Sequence, residues 1–200
     1  MRLICIGDSL TFGYGVHLSQ RWTRLCAQET GWELVNEGIN GDTTGGMLAR
    51  MQGGVLAELR EGGLGADRPY VLLMGGSNDV FYSGSDAAAR GNMGAMIHQL
   101  FSVGVLPMVG IPLPADAPHA PRAWVAAVDF EAAERTMKEY CAWLKRYCTA
   151  FGVPYIDFCA DFLSPDGSIR LELLLDGLHP TPEGHCLMAR RLSAQLKRQG

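Results

Sequence analysis

No block of lysine or arginine occurs anywhere in the chain, and its formal net charge is −4. A phosphate backbone is bound through a basic footprint, so no nucleic-acid partner is expected. The six cysteines, at positions 5, 26, 141, 148, 159 and 186, form no C-x-x-C pair and mostly sit among apolar neighbours. That pattern argues against a metal site, a redox motif or a disulfide framework, and for reduced thiols packed in a cytoplasmic protein. Long uninterrupted apolar runs are missing as well. Leu3–Ile6 meets Gly7-Asp8 too soon to be the apolar stretch of a signal peptide. The uncharged stretch from Gly91 to Ala115 is interrupted by Asn92, His98, Pro107, Pro112 and Pro114. It reads as a buried helix followed by a strand, without stable insertion in a membrane. Low-complexity tracts, internal repeats and interdomain linkers are absent. With 48% apolar residues in 200, the chain has enough material for one real core, and a single domain over residues 1–200 is expected.

What is present is an alternation. Branched or aliphatic runs at Leu3–Ile6, Glu33–Asn36, Tyr70–Met74, Val105–Ile111 and Pro154–Phe158 read as strands. Between and after them, Arg21–Thr30, Met47–Arg60, Asn92–Val103, Phe130–Phe151 and Pro182–Arg198 place apolar residues at helical spacing. Gly152 is a natural stop and Pro182 a natural start. Gly53-Gly54 interrupts the second of these helices at a cost in propensity. A β-α-β-α rhythm implies a parallel sheet covered by helices on both faces.

In such a sheet the loops leaving the carboxyl ends of the strands share one edge, where ligands bind. The first strand is followed there by Gly7-Asp8-Ser9-Leu10, the second by Gly38-Ile39-Asn40-Gly41-Asp42-Thr43, and the third by Gly75-Gly76-Ser77-Asn78-Asp79. After the fifth comes Leu175-Asp176-Gly177-Leu178-His179-Pro180. A serine hydroxyl is a poor nucleophile until a base takes its proton, and the base works best when a third group fixes its tautomer. Ser9, His179 and Asp176 supply these three types. Acyl transfer also needs donors aimed at an oxyanion. The backbone N–H groups of Ser9 and Gly41 and the side-chain amide of Asn78 are the candidates, Gly41 because it lacks a Cβ that would block a close approach.

These four blocks resemble those of the SGNH or GDSL hydrolases. Gly7-Asp8-Ser9-Leu10 is similar to the first block, Gly41 to the family glycine, Gly76-Ser77-Asn78-Asp79 to G-x-N-D, and Asp176-Gly177-Leu178-His179 to D-x-x-H. They stand in the family order and span essentially the whole chain. The resemblance implies a flavodoxin-like three-layer α/β/α sandwich, with a five-stranded parallel sheet in the order 2-1-3-4-5. It also implies hydrolysis of esters or thioesters by a Ser-His-Asp triad, without metal or organic cofactor, on a small-molecule ester substrate.

Plainer readings exist for each residue. A serine after Gly-Asp and before a helix is ordinarily a cap, Asn78 a turn residue, and Gly41 a loop glycine. It is the shared edge that sets these readings aside. Asp8 and Asp79 are assigned to loop architecture, since carboxylates beside an oxyanion oppose catalysis. His17, His98, His119 and His185 are rival bases. His119 is the serious one, with Asp116 as its only evident orienting carboxylate, and is read as a rim residue. Val80, Phe81, Tyr82 and Trp124 are candidates for an apolar acyl pocket, or equally for loop anchors. Short-chain carboxylic esters are the expected substrates, with lysophospholipids and thioesters also open. The alternatives are a carbohydrate O-deacetylase of the same family and a catalytically silent binding module. A homo-oligomer stays open.

Overall fold

The apolar runs become the strands β1 (Arg2–Gly7), β2 (Glu33–Gly38), β3 (Tyr70–Met74), β4 (Pro107–Ile111) and β5 (Tyr155–Asp157) in the computed structural model, which describes residues 1–57, 69–120 and 127–198. All pairings are parallel and the order is β2-β1-β3-β4-β5. Successive side chains of a strand point to opposite faces, and here they sort into two cores. Ile4, Ile6, Val71, Leu73, Val109 and Ile111 enter one apolar cluster, while Leu3, Cys5, Leu72, Met74 and Met108 enter the other. A strand buried on both faces must be apolar throughout, which is why these runs lack polar alternation.

The helices are α1 (Ser9–Phe12), α2 (Trp22–Thr30), α3 (Thr44–Gly53), α4 (Ser77–Ser83), α5 (Ala87–Ser102), α6 (Phe130–Phe151) and α7 (Pro182–Leu196). α3, α5 and α6 close the first cluster, α2 and α7 the second, giving the three-layer α/β/α architecture. The ends follow local chemistry. Asp129 caps α6 by accepting from the Ala132 amide at 2.9 Å, and the helix stops at Gly152. Thr181 accepts from the Gly184 amide at 3.2 Å, with Pro182 in the first turn of α7. Among the described residues no helix is long and apolar enough to cross a membrane.

Two of the expected helices start earlier than their apolar spacing predicts. The one expected over Met47–Arg60 starts earlier, at Thr44, because Thr43 caps it by accepting from the Gly46 amide. It also ends at the expected breaker, Gly53; residues 55–57 are helical again, and 58–60 lie outside the described residues. α5 begins at Ala87 rather than Asn92. Its first turn is made of the helix formers Ala87-Ala88-Ala89-Arg90, braced by an ion pair from Arg90 to Asp86 at 2.5 Å.

Strand order reverses beside β1: the chain passes to β2 on one side and then returns to lay β3 on the other. The loops leaving β1 and β3 diverge at this point and open a crevice at the carboxyl edge.

Candidate active site

The turn from β1 into α1 is made at Gly7. A Cβ there would stand 2.1 Å from Thr11 Oγ1 and 2.5 Å from the Met74 carbonyl oxygen, so only glycine fits. Asp8 caps the helix, its Oδ1 accepting from the Leu10 amide at 2.9 Å. The capping role therefore falls to the aspartate, and the serine hydroxyl is free to turn elsewhere. Ser9 Oγ lies 3.0 Å from Nε2 of His179, which is 170 residues away in the chain.

His179 is held from behind. Its Nδ1 donates to Asp176, 2.8 Å from Oδ2 and 3.1 Å from Oδ1. The Asp176 carboxylate also accepts the backbone amides of Leu178, at 3.1 Å, and His179, at 2.9 Å. Partial burial works to raise the Asp176 pKa, but the bonds from the His179 ring and these amides outweigh it, and the carboxyl lies below its ordinary range. With Nδ1–H given to Asp176, Nε2 is left as the acceptor for the Ser9 hydroxyl. On its open side the imidazole meets the Tyr14 ring, with centroids 4.5 Å apart and planes at 45°.

Asn78 stands in the first turn of α4 and is buried. One hydrogen of its side-chain amide goes to the Asp42 carbonyl at 2.8 Å. The second makes no bond among the described residues and can serve a ligand. Gly41 precedes Asp42 and has a left-handed backbone, φ 76°, which a side chain would strain. Its loop is braced from three directions: Asn78 holds the Asp42 carbonyl, Arg50 Nε reaches the Asp42 carboxylate at 2.8 Å, and Arg50 Nη2 donates to the Gly7 carbonyl at 2.9 Å.

Ser9, Asn78 and His179 line one small cavity, closed by Leu10, Phe81, Leu113, Pro114, Ala115 and Leu178. It encloses about 20 Å³, room for one water-sized group. Of the expected pocket residues, Phe81 is in this wall. Val80 is a correction: it is fully buried in the apolar core, because neighbouring residues on a helix point about 100° apart. Tyr82 is exposed beside Gly41, and Trp124 lies outside the described residues.

The remaining acids and histidines have other engagements. Asp79 accepts from the Thr44 amide and hydroxyl. Asp8 lies in the cavity wall with Oδ2 unpartnered, and burial pushes its pKa up to about 7 against the Leu10 amide bond and the nearby His179. His17 caps a 3-10 turn at Leu18–Gln20, His98 meets the Tyr147 hydroxyl at 2.9 Å, and His119 is paired to Asp116 at 2.5 Å. His185 accepts from the Trp22 amide at 3.3 Å. Among the described residues no group of three or more His, Cys, Asp or Glu is arranged to hold a metal ion. Two participants escape sequence reading: Tyr14 against the imidazole, and Thr44 behind Asp79. Neither is announced by a local pattern, since each contact joins distant segments.

The model of the GDSL-like lipase/acylhydrolase family matches residues 5–187. The esterase TesA of Pseudomonas aeruginosa is 29% identical over 185 residues, covering 89% of this chain and 79% of that protein. A lipolytic protein of the G-D-S-L family from Desulfitobacterium hafniense superposes with a TM-score of 0.78 at 24% identity, over 96% of this chain and 98% of the other. The aryl esterase of M. smegmatis gives a TM-score of 0.78 at 22% identity, over 98% of each chain.

Proposed function

Because the chain belongs to the GDSL-like lipase/acylhydrolase family, we propose that it hydrolyses carboxylic esters of short acyl chains, with Ser9 as nucleophile, His179 as base and Asp176 as its orienting carboxylate. The observation that carries this reading is the continuous relay from Ser9 Oγ, 3.0 Å to His179 Nε2, through Nδ1, 2.8 Å to Asp176. His179 takes the serine proton as Oγ attacks the acyl carbonyl, and the oxyanion is met by the Ser9 and Gly41 N–H groups and the free hydrogen of Asn78. The imidazolium, steadied by Asp176, then protonates the leaving oxygen. Water activated by the same imidazole attacks the acyl-serine, releases the acid and restores the hydroxyl.

The short acyl preference rests on the cavity. The cavity beside Ser9, walled by Leu10, Phe81 and Leu113, is about 20 Å³, and it is the space offered to the acyl group. An acetyl methyl fits this space; a longer chain directed into the same wall must displace buried side chains, at a cost of about 1–3 kcal/mol.

The test is active-site labelling beside kinetics. A fluorophosphonate should label the wild-type protein on Ser9, and p-nitrophenyl acetate should be turned over. Ser9→Ala and His179→Ala should each abolish turnover and acyl-enzyme formation while their circular dichroism stays unchanged. Near-normal activity in either variant would refute the assignment, and a folded wild type that neither labels nor turns over would be a binding module instead.

A further inference from the structure

Each loop that brings a residue to the site also brings at least one large, exposed apolar side chain. Tyr14 accompanies Ser9 and is 47% exposed; Ile39 accompanies Gly41, at 49%; Tyr82 accompanies Asn78, at 59%; Leu175 accompanies Asp176 and His179, at 47%. Leu18 and Leu171, in 3-10 turns of the segments that follow β1 and β5, are exposed as well, whereas Met1, Leu106, Phe151 and Tyr155 stand at or before the starts of strands, at the opposite edge of the sheet. Exposed apolar side chains thus gather on the loops of the carboxyl edge, around the mouth of the site.

The rim has an inner and an outer part. Tyr14 packs on His179, with ring centroids 4.5 Å apart. Leu175 packs against the same loop: its Cδ1 occupies the space where a side chain on Gly15 would begin, 2.6 Å from that Cβ position. Tyr82 reaches Gly41, its hydroxyl 3.4 Å from where a Cβ would stand there. Isolated exposed apolar residues need no explanation, but a ring of them around a polar constellation does.

We infer that this rim is the binding site for the alcohol half of the substrate, and that the half is apolar: an alkyl or aryl alcohol rather than a sugar hydroxyl. The inference rests on the proposed Ser9 chemistry and adds to it the choice of leaving group. Beneath the rim the narrow cavity beside Ser9 limits the acyl side, so the substrate is small on the acid side and apolar on the alcohol side. A sugar would leave hydroxyls facing Ile39 and Leu175 without hydrogen-bond partners from these side chains, whereas an alkyl or aryl group removes apolar surface on both partners from water.

Acetate esters with a constant acyl group separate the outcomes. From ethyl to butyl to hexyl acetate, kcat/KM should rise about 2- to 4-fold per added methylene, mostly through KM. Acetylated xylose should fall well below hexyl acetate, and hexyl acetate presented in detergent micelles should gain nothing over the monomer. Leu175→Ser and Ile39→Ser should each lower the hexyl-to-ethyl ratio of kcat/KM several-fold, and the double variant should flatten it. A ratio near one in the wild type, or a faster acetylated sugar, overturns the inference while leaving the Ser9 assignment standing. A gain confined to micelles overturns it in favour of a lipid surface. Absence of turnover with every ester, together with absence of fluorophosphonate labelling, removes both readings at once.

Discussion

Thr44 and Asp79 are joined twice: the Thr44 amide and hydroxyl donate to the two carboxylate oxygens of Asp79, at 2.8 and 2.6 Å, with all of these groups buried. The pair ties the first turn of α3 to the first turn of α4, and so fixes the loop of Gly41 relative to Asn78. Asn92 adds a bond to the same hydroxyl at 3.1 Å. Removing the hydroxyl leaves a buried carboxylate oxygen short of a donor, which costs about 1–3 kcal/mol. Thr44→Val keeps the shape and should lower stability by that amount in urea unfolding. If Gly41 and Asn78 meet the oxyanion as proposed, it should also reduce kcat more than it raises KM, because loosened donors harm the transition state more than the bound ester.

How far this arrangement was legible in the sequence depends on the kind of signal each part carries. β3 (Tyr70–Met74) and α6 (Phe130–Phe151) match expectation to the residue, because an unbroken apolar run and a long 3.6-residue period bounded by Gly152 are local patterns. The four loops at the carboxyl edge were likewise placed by strand order. α4 was not anticipated as a helix: its seven residues carry Asn78 and Asp79, and polar site residues hide the period that would reveal it. The same competition hid the start of α3, where Gly45-Gly46 follow a threonine cap. Tyr14 and Thr44 were invisible for a different reason. Their partners, His179 and Asp79, are distant in the chain, and only the folded sheet brings them together.

Asn78 has one amide hydrogen committed to the Asp42 carbonyl and the other open to the cavity. If the open hydrogen meets the oxyanion, Asn78→Ala should lower kcat by about 10²–10³ with little change in KM. Asn78→Asp retains the size but replaces donors by a negative charge, and should be the worse of the two. Steady-state kinetics on one acetate ester, with fluorophosphonate labelling to count competent sites, checks both.

His185 governs the acid limb of stability. The imidazole is fully buried where α7 packs on α2, and burial first, with the charges of Arg21 and His179 second, lowers its pKa to about 4 from the ordinary 6.5. The unfolded chain binds the proton more tightly, so the contribution is complete above pH 6.5 and is lost as pH falls toward 4, by about 3 kcal/mol in all. His185→Asn keeps an acceptor for the Trp22 amide and cannot titrate. Its urea midpoint should change less between pH 7 and pH 4.5 than that of the wild type.

Asp8 acts with the opposite sign. Its carboxyl is 1% exposed, its Oδ2 has no partner, and burial raises its pKa from 3.8 to about 7. Here the folded protein binds the proton more tightly than the unfolded chain. Stability is therefore lost as pH climbs from about 4 to 7, and the loss between pH 5 and 7 is about 2–3 kcal/mol. Asp8→Asn retains an acceptor for the Leu10 amide and removes the titration, so its stability relative to the wild type should improve steadily from pH 5 to pH 8. The charge has a second consequence if the oxyanion forms in the same cavity. An ionised Asp8 opposes it, so the ratio of variant to wild-type kcat should also rise as pH passes 7. Urea unfolding and kcat profiles over pH 5–9 measure the two effects separately. A variant whose stability runs parallel to the wild type across that range would show that Asp8 does not hold its proton in the folded protein.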